Sequence, residues 1–473
     1  MKIDKENSNV EFKTKEEVLA RLQEIEQKKQ KIGSPEELEA LEQEILGLTS
    51  QYAALLLQQK VQESLDSGEQ QKKEAEFIKN CPKRMKSDGF ETVKITTAGG
   101  SNICVRVRYY IRSCDRRRGK KRHKGVYAGL ILLGIHDRCT PGLTAKVSAW
   151  AALLSSFEEV RQVLSDQGVI LGVKVIRKLA YRYADRARIM QQVGEVPLGE
   201  EDNLQGRKVV VSMDGGRVRL REKKRGPKTK KNRTRYKGSW REPKLLIIYV
   251  VDDQGKLEKS FTPFIDGCIR TNQPDVLFQM LAGYLKSLGI ENADRVLFVA
   301  DGARWIWKRI PVLVKQLGLD PNRVHELIDF YHAVEHLGKV AELRKKWSAK
   351  ERKTWVSRQR GRLLKGEATT VVKAVQDICR GKKSKAIAKE RDYFVKNIQR
   401  LNYLLIKGLN LPIGSGAVES AVRRVINLRI KGPCIFWYRE NAEKILMLRA
   451  YYKSGRWNCL KQMANSHASL LVA

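Results

Sequence analysis

Two short apolar segments, each ending in an aspartate and a glycine, constrain the fold of this chain most strongly. The first covers residues 208–213 and is followed by Asp214, and the second covers residues 295–300 and is followed by Asp301. Continuous apolar, β-branched runs of this length are typical of strands buried on both faces. One Asp-Gly pair after a strand commonly begins a turn, but two pairs in the same setting indicate a shared role.

Further segments complete an ordered series of predicted elements. The predicted strands cover residues 208–213, 245–251, 261–265, 295–300 and 324–330, and the predicted helices cover residues 274–288 and 304–317. Three strands, a helix, a strand, a helix and a strand is the order of a ribonuclease-H-like α/β core. In that order the ends of the first and fourth strands point to one end of the sheet. We therefore expect Asp214 and Asp301 to lie close together.

Two converging carboxylates and a third can hold two divalent cations about 4 Å apart, which promotes attack of water or a 3′-hydroxyl on a phosphodiester. Mg²⁺ prefers such oxygen ligands, and Mn²⁺ is a possible substitute. The best candidate for the third ligand is Glu419, near the start of a helix that follows the Pro412–Gly416 turn. Without further information, a lone glutamate in a first helical turn would ordinarily stabilise the helix dipole.

Three motifs carry a resemblance to a known family. They are Val299–Trp307 (VADGARWIW), Asp329–Leu337 (DFYHAVEHL) and Pro412–Ser420 (PIGSGAVES). Together they resemble bacterial insertion-sequence DDE transposases of the ISKra-type group, which are related more distantly to Mutator-like elements. The resemblance is specific over residues 207–457, looser over 81–206 and absent over 1–80.

The resemblance implies a catalytic and metal-binding triad of Asp214, Asp301 and Glu419, with Asp329 and His332 supporting the active site. It implies metal-dependent cleavage of double-stranded DNA at the ends of a mobile element, followed by strand transfer into target DNA. It also implies a helical insertion domain before Glu419. His332 and His336, four residues apart, could alternatively be packing residues or a zinc pair, although no HExxH glutamate accompanies them.

The charge of the chain points to the same partner. The formal net charge is +39, and residues 1–80 hold 12 Lys and Arg against 17 Asp and Glu, a net of −5 that leaves +44 for residues 81–473. Such an excess is typical of nucleic-acid binding. The densest stretch, residues 217–237, contains Gly-Pro and no apolar period, and it is predicted to be a mobile loop. The predicted DNA-binding residues are Arg217, Arg219, Lys223, Lys224, Arg225, Lys228, Lys230, Lys231, Arg233, Arg235, Lys174, Arg177, Lys178, Arg423 and Arg424.

The N-terminal part is predicted to be separate from the core. Apolar residues from Leu38 to Leu55 alternate spacings of three and four, which fits either a coiled coil that dimerises or a helix pair packed on its own chain. Period-two segments around Ala98–Ser101 predict a β-hairpin, and a basic loop follows it at 113–124. Helices on either side of 168–171 fit a DNA-binding helix-turn-helix or a plain helical hairpin.

The predicted fold is thus a multidomain α plus α/β protein, with a ribonuclease-H-like mixed sheet core and a helical insertion, preceded by helical and β-hairpin domains. The predicted divisions are 1–80, helical hairpin or coiled coil; 81–144, small basic β domain; 145–206, helix-turn-helix-like; 207–337, first part of the core; 338–408, helical insertion; and 409–473, final core helix with C-terminal helices.

Composition excludes other classes. No apolar run is long enough for a transmembrane helix, and the first residues lack the apolar core of a secretion signal, so a cytoplasmic bacterial protein without membrane partners is expected. Eight scattered cysteines read as thiols, and Cys114 and Cys139 lack the CxxC partners of a zinc site. Two alternatives to a homo-oligomeric transposase remain: a nuclease without strand transfer, and a non-catalytic transposase-derived DNA-binding protein.

Overall fold

The structure is a computed structural model that describes residues 12–28, 31–112, 125–269, 272–381, 384–432 and 435–466. The chain divides into two compact units, Met1–Ala187 with Ala464–Ala473 and Arg188–Met463. The six-part division expected from the sequence is finer than this and stays a prediction. The basic loop predicted at 113–124, which contains Cys114, lies outside the described residues.

The first unit is built from helices around one β-hairpin. Its elements are α1 (Lys15–Gln27), α2 (Pro35–Asp66), α3 (Gly68–Lys79), β1 (Met85–Thr96), β2 (Asn102–Arg112), α4 (Ala128–Leu132), α5 (Pro141–Leu153), α6 (Phe157–Asp166) and α7 (Val173–Gln192), the last of which continues into the second unit. Helix α2 begins at Pro35, because the Ser34 side chain accepts a hydrogen bond from Glu37 N and proline is suited to the first turn.

The predicted hairpin is confirmed, and helix α2 covers its outer strand. Val93 pairs with Val105 and Ile95 with Ile103, and all four side chains are buried. Gln58 and Gln62 of α2 accept hydrogen bonds from the backbone N–H groups of Cys104 and Arg106, at 2.7 and 2.8 Å. These glutamines satisfy donors that an edge strand otherwise leaves open.

Helices α1 and α2 form the helical hairpin that the sequence allowed as one alternative. Arg21 on α1 pairs with Glu44 on α2 at 2.6 Å, and Lys15 donates to Gln59 at 2.7 Å. The predicted seam is only partly covered, since Leu38 and Ile45 are 52% and 37% exposed. Dimerisation through this seam stays a prediction.

Helices α6 and α7 lie on either side of the predicted break, where Gly168 adopts the left-handed conformation with φ of 76°. Glycine is suited to this position because it has no Cβ to clash there. On α7, Lys174, Arg177 and Lys178 are exposed, and Lys178 pairs with Asp137 at 2.5 Å.

The second unit contains a five-stranded sheet with helices, and a separate hairpin. Its elements are β3 (Lys208–Gly215), β4 (Val218–Lys223), β5 (Tyr236–Arg241), β6 (Lys244–Val251), β7 (Phe264–Cys268), α8 (Gln273–Ser287), β8 (Arg295–Ala300), α9 (Arg304–Trp307), α10 (Ile310–Gln316), β9 (Val324–Ile328), α11 (Phe330–Glu342), α12 (Ala349–Leu364), α13 (Ala368–Cys379), α14 (Lys385–Lys396), α15 (Tyr403–Gly408), α16 (Gly416–Val422), α17 (Arg439–Lys453) and α18 (Trp457–Asn465). Helix α18 ends in the first unit.

The sheet is mixed, with the strand order β7-β6-β3-β8-β9. Strand β6 runs antiparallel to both β3 and β7, whereas β8 lies parallel to both β3 and β9. The central strands are buried almost throughout, which explains their unbroken apolar sequences. The order of these five strands and of the helices between them is the one predicted.

Four predicted elements require correction. The strand expected over 261–265 covers Phe264–Cys268 instead. Residues 217–237 are not a loop throughout, because β4 and β5 pair as an antiparallel hairpin and only the tip lacks strands. The helix expected over 304–317 is divided into α9 and α10, since Pro311 stands in the first turn of α10 and cannot continue α9. The strand expected to end at Phe330 ends at Ile328, because Asp329 caps α11 instead.

A buried ion pair joins α7 to the sheet within the second unit. Arg188 donates to both carboxylate oxygens of Asp266 on β7, at 2.7 and 3.0 Å, and Tyr284 donates to the same carboxylate at 2.8 Å. Asp266 is 1% exposed. Among the described helices, none is long and apolar enough to span a membrane.

Replacement of Asp266 by alanine is predicted to cost about 3–5 kcal/mol of unfolding free energy, because it leaves the buried Arg188 guanidinium without its counter-charge. Urea unfolding followed by circular dichroism measures this. The matched control is Asp253→Ala, which removes an aspartate 98% exposed in its ion pair with Lys208 and should cost less than about 1 kcal/mol. Equal costs in the two variants would contradict a structural role for the buried pair.

Candidate active site

The site lies at the carboxyl ends of the two central parallel strands. Strands β3 and β8 pair in register, with Met213 opposite Ala300, so Asp214 and Asp301 are the next residues on neighbouring strands. Gly215 N donates to Asp214 Oδ1 at 2.6 Å, and Ala303 N donates to Asp301 Oδ1 at 2.9 Å. Each carboxylate thus has one oxygen oriented by backbone.

Electrostatics couple Asp214 to the other proposed site residues. The pKa of Asp214 is raised to about 6, chiefly by burial and to a smaller extent by the negative charges of Asp301 and Glu419. The Gly215 N–H and the His332 imidazole oppose the rise. Asp301 and Glu419 are therefore near enough to Asp214 to disfavour a negative charge on its carboxyl.

Glu419 lies on the short helix α16, which packs against β3 and β6. Its side chain is 53% exposed, and Oε1 lies 3.5 Å from His332 Nε2. His332 Nδ1 lies 3.6 Å from Glu335. The imidazole thus lies between the carboxylates of Glu335 and Glu419, and a supporting role of His332 in an active site stays a prediction.

Asp329 fixes the segment before α16. Its carboxylate is fully buried, and it accepts hydrogen bonds from His332 N at 2.8 Å and from Ser415 N. Phe330 N donates to Ile413 O at 3.0 Å beside this contact. Asp329 therefore ties the start of α11, with His332, to the residue that precedes the helix of Glu419.

Close packing requires Gly414 in this segment. A Cβ on Gly414 would lie 2.9 Å from the Tyr331 ring. The glycine of the Pro412–Gly416 turn is therefore needed for the approach of α11, in addition to its role in the turn.

A π-helical turn, Arg423–Asn427, follows α16 directly. The wider turn leaves carbonyls without helical partners, and Arg449 of α17 donates to two of them, Arg424 O and Val425 O, the second at 2.7 Å. Arg449 is 2% exposed.

Ile426 of the π-turn packs so close to Gly216 that a Cβ on Gly216 would lie 2.7 Å from the Ile426 side chain. These contacts connect the segment after Glu419 to the segment after Asp214.

Two residues of this site were not predicted. Arg449 could have been suspected from sequence, since it is one arginine inside the apolar run of residues 445–451. Tyr393 on α14 lies against Gly302, where a Cβ would meet its ring at 2.3 Å, and stacks on His336 at 3.7 Å. Burial raises the pKa of Tyr393, and the charge of Asp301 adds to the rise. No local pattern marks Tyr393.

The histidine alternatives are resolved for His336. Its Nδ1 lies 2.5 Å from Glu390 on α14, and its ring stacks on Tyr393, so it is a packing residue between α11 and α14. Cys139 is buried, and burial raises the pKa of its thiol to about 11. These contacts fit a packing role for His336, and the burial of Cys139 fits an unreactive thiol.

The side chains proposed to hold a metal are all carboxylates. Within the part of the chain that the structure describes, no group of three or more His, Cys, Asp and Glu side chains is arranged closely enough to hold a metal ion. The chemistry of Asp214, Asp301 and Glu419 nevertheless suits Mg²⁺, because all three are oxygen ligands and their mutual repulsion would be relieved by a divalent cation.

The predicted DNA-binding residues fall into three groups. Lys174, Arg177 and Lys178 belong to the first unit, whereas the other two groups belong to the second. Arg423 and Arg424 are exposed on the π-turn, and Arg424 also donates to Lys453 O at 3.2 Å. The hairpin group extends from Arg217, which is exposed just after β3, through β4 to the exposed tip that ends at Arg235.

Comparison with known proteins gives little. No family model matches the chain, and no curated protein matches it. Among solved structures, the chain is similar to the Drosophila P element transposase strand transfer complex with a TM-score of 0.24 and 11% identity, over 68% of this chain and 80% of that chain. A likeness of that size identifies neither the fold nor the activity of this chain.

Proposed function

We propose that this chain is a DNA transposase of the DDE type with a ribonuclease-H-like core, related to the ISKra-type group. The observation that carries the proposal is the in-register parallel pairing of β3 and β8, whose ends bear Asp214 and Asp301 in a sheet of order β7-β6-β3-β8-β9. When the five core strands are numbered along the chain, their order across the sheet is third, second, first, fourth, fifth, so the strands that bear Asp214 and Asp301 are neighbours.

In this proposal Asp214, Asp301 and Glu419 hold two Mg²⁺ ions, with Mn²⁺ as a substitute. When bound, such ions activate the attacking water or 3′-hydroxyl and stabilise the leaving oxygen of the phosphodiester. Burial of Asp214 keeps its carboxylate away from bulk water, and the hydrogen bond from Ser415 N to Asp329 fixes the start of α16, the helix that carries Glu419. His332 lies beside Glu419, where it can donate a hydrogen bond to a phosphate oxygen.

The basic residues supply affinity for double-stranded DNA in this proposal. Lys and Arg side chains on α7, on the π-turn and on the hairpin tip are exposed, so they can neutralise phosphates. Joining two element ends to target DNA requires more than one active site, and a homodimer or higher oligomer is part of the proposal. The partly exposed seam of α2 is the proposed contact between copies.

Asp301→Asn is predicted to reduce Mg²⁺-dependent cleavage roughly a thousandfold, about 4 kcal/mol of activation free energy, because it removes a metal ligand. Affinity for DNA should stay the same or rise, because one negative charge is lost. The assay is nicking of a supercoiled plasmid that carries the gene with its flanking DNA, with binding measured in parallel.

The matched control is Asp294→Asn, which makes the same change before β8 rather than after it and should leave cleavage intact. Undiminished cleavage by Asp301→Asn would show the triad assignment to be wrong. Cleavage by the unmodified protein without joined products would identify a nuclease without strand transfer. DNA binding without cleavage by that protein would identify a non-catalytic DNA-binding protein.

Asp329→Asn is predicted to lower the unfolding free energy by about 1–3 kcal/mol, because an amide can accept only one of the two backbone hydrogen bonds that the buried carboxylate accepts. Turnover should fall as well while DNA affinity is retained, since Glu419 loses its fixed position. Asp320→Asn is the control: Asp320 is also a cap but is exposed, and asparagine caps equally well. Unchanged turnover in Asp329→Asn would exclude the positioning role.

A further inference from the structure

The β4–β5 hairpin carries alternating arginine and aromatic side chains on one face. In its register Arg219 is opposite Trp240, Arg221 opposite Gly238 and Lys223 opposite Tyr236. Alternate residues of a strand point to the same side, so these pairs share one face of the hairpin. On the other face Val218 and Leu220 are buried against the unit.

A segment from far along the chain extends this face. Arg221 N donates to Trp437 O at 2.7 Å and Trp437 N donates to Arg219 O at 3.0 Å, so residues 436–438 lie beside β4 like a third strand. Trp437 is buried, whereas the rings of its neighbours Phe436 and Tyr438 lie over the arginines. Gly238 has no side chain, and a Cβ there would lie 3.3 Å from the Phe436 ring.

Each arginine is stacked between two rings. The guanidinium carbon of Arg219 lies 4.7 Å from the Trp240 ring centre and 5.5 Å from that of Phe436. That of Arg221 lies 4.8 Å from Tyr236 and 5.4 Å from Tyr438. We name these six side chains the Arg–aromatic face.

The charge on this hairpin is unbalanced. Residues 217–241 contain 13 Lys and Arg and one acidic residue, Glu222. Glu222 points to the opposite face and pairs with Arg241 at 3.2 Å and Arg439 at 4.0 Å. Among the described residues, neither Arg219 nor Arg221 forms an ion pair with a carboxylate. A stacked guanidinium keeps the N–H groups at its edge available, and these suit phosphate oxygens.

The rings of the face are unusually open. Tyr236, Trp240 and Tyr438 are 44%, 50% and 38% exposed. A DNA duplex presents phosphates and groove edges to a flat surface and would leave these rings against water. Unpaired bases present their own faces, which stack on aromatic side chains and guanidinium planes.

We propose that the Arg–aromatic face binds a nucleic-acid strand with unpaired bases, its phosphates held by the arginine edges and its bases stacked on Tyr236, Trp240 and Tyr438. This inference rests on the proposed function for its choice of nucleic acid as partner. It adds a second, single-strand binding surface to the duplex contacts of the proposed transposase. The hairpin begins just after Asp214, the first residue of the proposed active site.

The test uses the full-length protein with fluorescent oligo(dT), a duplex of equal length and poly-L-glutamate of equal charge. The double variant Tyr236→Leu/Trp240→Leu should weaken oligo(dT) binding roughly ten- to hundredfold and change duplex binding about twofold or less. Tyr236→Phe/Trp240→Phe should bind oligo(dT) like the unmodified protein, because both rings remain. Thermal unfolding checks that each variant is folded.

A charge control separates stacking from electrostatics. Lys230→Gln/Lys231→Gln keeps the rings and should weaken oligo(dT) and duplex alike, reducing the slope of log affinity against log salt by about 2. The inference is overturned if the leucine variant binds oligo(dT) normally, if it loses oligo(dT) and duplex in equal proportion, or if poly-glutamate binds as tightly as oligo(dT).

The proposed function fails separately from this inference. Oligo(dT) binding that depends on the rings, in a protein without Mg²⁺-dependent cleavage, supports the Arg–aromatic face and removes the transposase activity. If Asp301→Asn loses cleavage but oligo(dT) binding does not depend on the rings, the result supports the transposase activity and removes the Arg–aromatic face.

Discussion

The parallel pairing of β3 with β8 is the interaction on which the rest of the structure depends. It joins the antiparallel half of the sheet to the parallel half, and its register sets Asp214 and Asp301 on neighbouring strands. A shift of one residue would turn every side chain of one strand to the opposite face. The apolar residues that fix the register, such as Val211 and Phe298, are buried. The buried core strands therefore set the positions of Asp214 and Asp301.

The third carboxylate depends on tertiary contacts rather than on its own helix. Helix α16 has seven residues, and a helix that short has little stability alone. Asp329 holds the residue before it, Arg449 holds the π-turn after it, and Gly216 admits Ile426 beside β3. Since two of these contacts are buried hydrogen bonds to charged side chains, loss of either leaves an unsatisfied group and displaces Glu419.

The sequence allowed the core strands to be predicted closely, because strands buried on both faces have continuous apolar sequences, and the strand ends indicated Asp214 and Asp301. The β4–β5 hairpin was not predicted, because Arg219 and Arg221 alternate with Val218 and Leu220. The many basic residues of this segment hid the period of two that is typical of a strand. What stabilises that hairpin, Phe436 and Tyr438, comes from far along the chain. Tyr393 could not be predicted for the same reason, since its contact with Gly302 exists only after folding.

The hairpin also explains how a strongly basic chain can keep an acidic site. A guanidinium within ion-pair distance of Asp214 would lower the pKa of its carboxyl, yet that pKa is raised to about 6, although β4 begins only four residues later. The first arginines of the strand are held on aromatic rings rather than on the aspartate. Stacking therefore accounts for the positions of these two guanidinium groups, while burial and the charges of Asp301 and Glu419 keep the pKa of Asp214 high.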